Sequence, residues 1–109
     1  MLAAGNRLRR TRDIERVRGA GRSVGSKLLH IRFTSNHRST SRATVVVSTR
    51  TAKRATVRNR IKRQVRAVLA PLLPRLSPPR DLMVIVHAAA LQVSFTELRA
   101  TLHGMLKRV

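Results

Sequence analysis

The chain has no cysteine, tryptophan or tyrosine, and among its 109 residues only four carry a carboxylate side chain. Without cysteine there is neither a disulfide framework nor a thiolate-ligated zinc finger. With only Asp13, Glu15, Asp81 and Glu97 present, paired carboxylates for hydrolysis or for a protein-held metal are hard to assemble. Plainer roles suit them: Asp13 and Glu97 fit helix starts, Glu15 can pair with a nearby arginine, and Asp81 opens an apolar run. His30, His37, His87 and His103 are scattered, with no metal-ligand spacing and no triad-like neighbours. Neither a catalytic residue nor a metal ligand is therefore expected in the protein itself. Long apolar runs are also missing: no segment approaches the roughly 18 apolar residues of a membrane span, and the start lacks the apolar stretch of an export signal. We expect a cytoplasmic protein, off the membrane and without a small-molecule substrate.

Positive charge is what the chain has in excess. Its 24 basic residues against four acidic ones give a formal charge of +20, a self-repulsion that a bound polyanion would relieve. Only Lys27, Lys53, Lys62 and Lys107 are lysine; the rest are arginine, whose planar fork suits phosphate pairing and stacking on bases. A hydrophobic content of 42% belongs to a folded domain rather than a basic tail. The length suits one domain over residues 1–109 with one modest core, residues 1–10 forming a mobile basic arm.

Patterning along the chain predicts an α+β fold. Thr11 can cap a short helix with Asp13 near its positive end and Ile14 and Val17 inward, stopped by Gly19 and Gly21. Gly19, Gly21 and Gly25 lack the Lys-Ser/Thr ending of a nucleotide loop and read as turn residues. Residues 27–33 alternate, with Leu29, Ile31 and Phe33 on one face. A polar turn over 34–42 leads to a β-branched strand, 43–49, that could pair antiparallel with the first as a hairpin. Residues 81–87 read as a buried strand after Ser77, Pro78 and Pro79. Ser94 and Glu97 have capping-box spacing ahead of a C-terminal helix carrying Phe95, Leu98, Leu102, Leu106 and Val109. The result is a small sheet with two helices packed on it.

Between the second and third strands lies the most informative stretch, residues 50–66. Val57, Ile61, Val65, Val68, Leu69 and Leu72 fall within an arc of roughly 120° on a helical wheel and form a buried stripe. Asn59, Lys62, Arg63 and Arg66 lie opposite, flanked by Arg58 and Arg60, so cations and an amide project from an anchored rod. Asn59 sits near the helix start, where free N–H groups add positive potential and the amide can bond sugar and base. Phosphates of a nucleic acid are the expected partner.

Ala55-Thr56-Val57-Arg58-Asn59-Arg60-Ile61-Lys62-Arg63 resembles the Arg-Asn-Arg signature of the bacterial ribonuclease P protein subunit. Further segments resemble that family in order and spacing: Asn6-Arg7-Leu8, Asp13 and Val17 ahead of Gly21, Ser23-Val24, Val46-Val47-Ser48, and Asp81-Leu82-Met83-Val84-Ile85. The resemblance implies a small mixed sheet packed with helices, with a strand-helix-strand core of left-handed crossover like ribosomal protein S5 domain 2. It implies an endoribonuclease subunit that binds a catalytic RNA and the 5′ leader of precursor tRNA, the catalytic centre and its magnesium lying mainly with RNA. Carried over by position, Arg58, Asn59, Arg60, Lys62, Arg63 and Arg66 would meet RNA, and Arg50, Lys53 and Arg54 would extend that surface. A cleft between the first helix, the sheet and the basic helix would hold the leader. Where the family often places aromatic rings in that cleft, this chain has Ile14, Arg18 and Arg32, so Arg18 and Arg32 are candidates to stack by cation–π contact. The alternatives are a basic ribosomal or RNA-chaperone protein with a structural role, and a DNA-binding helix module.

Overall fold

The structure, a computed structural model, describes residues 2–109. Its elements are α1 (Thr11–Ala20), β1 (Arg22–Gly25), β2 (Leu29–Ser35), β3 (Arg42–Val46), α2 (Ala55–Leu69), β4 (Arg80–Val86) and α3 (Phe95–Leu106), joined by short 3-10 turns. The strands form one mixed sheet in the order β1-β2-β4-β3. Leu82, Met83 and Val84 are each at most 1% exposed, and an apolar run buried on both faces belongs in the middle of a sheet. There β4 runs antiparallel to β2, with Ile31 opposite Val84, and parallel to β3, with Val45 opposite Val84. Parallel neighbours need a crossover, and α2 supplies it.

The expected hairpin between β2 and β3 does not form, because β4 takes the place between them. The antiparallel partner of β2 on its other side is β1, with Arg22 opposite Phe33 and Gly25 opposite His30. This short strand occupies the stretch read as a glycine turn. Only Val24 in it is apolar, so no period of two announces it.

One sheet face carries Leu29, Ile31, Phe33, Val45, Leu82 and Val84 beneath Ile61, Val65, Val68 and Leu69 of α2 and Leu98, Leu102 and Met105 of α3. Each fully buried aliphatic side chain there contributes about 1.5–3 kcal/mol. The opposite face carries Met83 beneath Leu8 and Val17, with Ile14, Val46 and Ile85 half-buried alongside. Residues 2–8 are thus packed rather than a mobile arm. Leu2 and Leu8 are buried, the Leu8 N–H donates to the Ala43 carbonyl at 3.0 Å, and the Asn6 amide donates to the Ser41 carbonyl at 2.7 Å. Two leucines in a basic segment are enough to seat it, and Asn6 satisfies a loop carbonyl that burial would otherwise strand.

At α1, Arg10 rather than Thr11 holds the capping position, without a side-chain cap bond, and Gly21 rather than Gly19 ends the helix. Ser94 does cap α3, its Oγ accepting the Glu97 N–H at 3.1 Å. The strongest polar tie is the Asp81 carboxylate, fully buried. It accepts from Arg42 Nε at 2.9 Å and Nη2 at 2.6 Å, from Arg16 Nη2 at 2.6 Å and from Asn36 Nδ2 at 3.0 Å. Arg42 also reaches Asp13 at 3.4 Å. The bonds to Asp81, outweighing desolvation, raise the Arg42 pKa above the ordinary arginine value. Asp13 and Asp81 therefore clamp α1, β3, β4 and the loop over 36–41 together, beyond the helix-start and strand-opening roles expected of them.

Candidate nucleic-acid interface

Helix α2 is held by the stripe its sequence lays down. Ile61, Val65, Val68 and Leu69 are buried and Val57 and Leu72 pack against the same core, which fixes the rotation of the rod. Asn59, Arg60 and Arg63 then stand exposed, Lys62 and Arg66 are half-buried, and Arg50, Lys53 and Arg54 are exposed in and after the loop that precedes the helix. No acidic residue occupies the first turn of α2, so its positive end is left uncompensated. Among the described residues the four ion pairs engage only Arg16, Arg18 and Arg42 as cations. The cations of α2 are therefore available to an external anion.

Arg58 differs from its neighbours. Expected on the flank of the cationic face, it lies on the wheel close to Val65 and Leu69 instead, and its Nη1 donates to the carbonyls of Ala52 at 2.9 Å and Lys53 at 2.7 Å. It stiffens the loop-to-helix joint with part of its guanidinium.

A recess of about 500 Å³ opens beside β3, between α1, the N-terminal segment and α2. Ile14 and Leu8 supply apolar wall, Thr44 a hydroxyl, and Arg7, Arg9 and Arg66 the charge. Of the three residues proposed for a leader cleft, only Ile14 lines this recess. Arg18 pairs with Glu15 on the exposed face of α1. Arg32 donates to Ser23 Oγ and to the Gly21 carbonyl, both at 3.0 Å, which ties it to β1. Sequence reasoning missed Arg7, Arg9 and Thr44 as lining residues. The Asn6-Arg7-Leu8 segment was the available signal, hidden by the assumption that the N-terminus is free.

Three of the four acids, Asp13, Asp81 and Glu15, are already paired with arginines, and among the described residues no three histidine or acidic side chains gather.

The family model Ribonuclease P matches residues 2–109. The chain belongs to the ribonuclease P protein family. It is 34% identical to the ribonuclease P protein component of Cyanothece sp., over 97% of this chain and 93% of that one. With that of Pseudanabaena sp. it shares 39% over 99% and 94%. The RNase P protein from Thermotoga maritima superposes with a TM-score of 0.85 at 29% identity, covering 94% of this chain and 96% of that one. One from Staphylococcus aureus superposes at 0.81 with 24% identity, covering 94% and 93%, a likeness of fold. As a ribonuclease P protein, the chain is a subunit of an endoribonuclease of tRNA 5′ processing, and the family match does not favour the ribosomal or RNA-chaperone alternative. Among its described residues no helix is long and apolar enough to cross a membrane.

Proposed function

We propose that the exposed face of α2 and the recess beside β3 bind the catalytic RNA subunit and the 5′ leader of precursor tRNA. In this reading Arg60, Lys62, Arg63 and Asn59 meet phosphate and sugar along the helix, with Arg66 in the wall of the recess. Arg50, Lys53 and Arg54 extend the charged surface past the helix start. The leader would lie against Ile14 and Leu8 with its phosphates near Arg7, Arg9 and Arg66. The observation that carries this reading is an α2 anchored along one stripe whose opposite cations enter no ion pair among the described residues. Leader hydrolysis would belong to the RNA, with Mg²⁺ held mainly there, while the protein reduces repulsion between two polyanions and holds the leader in place.

The test is reconstitution. Added to the cognate catalytic RNA at Mg²⁺ too low for the RNA alone, the chain is expected to restore release of the leader from precursor tRNA. The same chain without RNA should release none under those conditions. No rescue across the Mg²⁺ range would overturn the assignment.

A further inference from the structure

On the flank of α2 away from the recess, the basic surface runs on into an apolar groove. Arg60, Arg63 and Ala67 succeed one another down that flank at helical spacing. Ala67 then lines the larger of two adjoining hollows, about 370 and 170 Å³, between the end of α2 and α3. The hollows share Leu72, Arg75 and His103. The α3 side contributes one stripe at intervals of four residues, Phe95, Arg99, His103 and Lys107. Phe95, at 42% exposure, is the one large apolar side chain left in solvent among the described residues. No acidic residue lines either hollow, and Arg75, Arg99 and Lys107 lie outside all four ion pairs.

We propose that this groove holds a single-stranded stretch of RNA, with a base stacked on Phe95 and backbone phosphates at Arg99 and Arg75. Charge complementarity calls for a polyanion. The exposed ring selects among polyanions, because a base gives it a flat partner while the arginine one turn on takes phosphate. An acidic peptide would satisfy the rim and leave the ring without such a partner. Continuity adds to this, since a strand leaving Arg60 and Arg63 enters the groove at Ala67 without crossing an acidic residue. The inference rests on the RNA-binding reading of α2 and extends it to a second surface.

Because the chain lacks tryptophan and tyrosine, Phe95→Trp installs a single indole reporter on the full chain. Oligouridylate is expected to quench its fluorescence saturably, while inorganic polyphosphate and poly-glutamate of matched charge leave it unquenched. Phe95→Ala should weaken oligouridylate binding about tenfold, with Phe95→Trp retaining it. Arg99→Ala should make the salt dependence shallower by about 0.7 in log-log slope. Absent quenching, or equal quenching by polyphosphate, would overturn the base-stacking groove; a response to poly-glutamate alone would assign the groove to an acidic peptide. Wild-type leader cleavage at low Mg²⁺ is read separately. Cleavage without quenching overturns the groove alone, whereas quenching without cleavage overturns the assigned function and keeps the groove.

Discussion

At the scale of single residues, charge and space decide which positions tolerate change. Asp81→Asn would leave Arg42 buried beside a neutral amide, and losing one partner of a buried pair costs about 3–5 kcal/mol. Urea unfolding of the variant should show that loss; an unchanged midpoint would mean that the clamp contributes little. Arg42, its pKa raised by Asp81, keeps its full contribution below the ordinary arginine range and loses it only as pH climbs through the raised value. Two glycines at the end of α1, one inside the helix and one just past it, should respond in opposite directions. At Gly21 a Cβ would come within 2.4 Å of the Val17 carbonyl oxygen and 3.0 Å of that of Phe33, both backbone atoms with nowhere to go. Gly21→Ala should therefore cost about 1–3 kcal/mol. Gly19 has nothing within 4 Å of such an atom and lies inside the helix, so Gly19→Ala should stabilise by about 0.5–1 kcal/mol. Thermal melts of both variants check the pair, and a shared sign would contradict the packing at the end of α1.

At the scale of elements, α2 separates folding from binding within its own signature. Arg58→Ala removes bonds to two loop carbonyls and should cost about 1 kcal/mol of folding stability. Arg60→Ala should leave stability within about 0.5 kcal/mol of wild type, yet cost about 1–3 kcal/mol in RNA affinity if the contact is charge-assisted. Comparing melting curves with RNA titrations distinguishes the two arginines. The anchoring of α2 was legible because Val57, Ile61, Val65, Val68 and Leu69 repeat at helical spacing, and the α3 cap because Ser94 and Glu97 stand three apart. Strand order was not legible. The run from Leu82 to Val86 announced burial, but the proximity of β2 and β3 along the chain suggested a hairpin, and only the demand that both faces of β4 be covered places it between them. β1 was invisible, because Arg22, Ser23 and Gly25 give it no apolar rhythm. At the candidate site, the exposed cations of α2 followed from its wheel, whereas the recess depends on where Leu2 and Leu8 tuck the N-terminal segment, which local pattern does not encode. Arg18 and Arg32 were chosen by position in a resembling family and lie outside that recess.

At the scale of the whole molecule, a formal charge of +20 opposes compaction and favours RNA at once, so salt should act with opposite sign on the two. Added salt screens self-repulsion and is expected to raise the melting temperature of the free chain, while the same salt weakens RNA binding through lost counterion release. Under the proposed function α2, fixed by its apolar stripe, presents cations to RNA phosphates. The slope of RNA affinity against salt for wild type and for an Arg60→Ala, Arg63→Ala double variant tests it most directly. With about six phosphates met on a single strand, wild type should show a log-log slope of roughly −4, and losing two contacts should flatten it by about 1.4. Identical slopes for the two proteins would contradict the account.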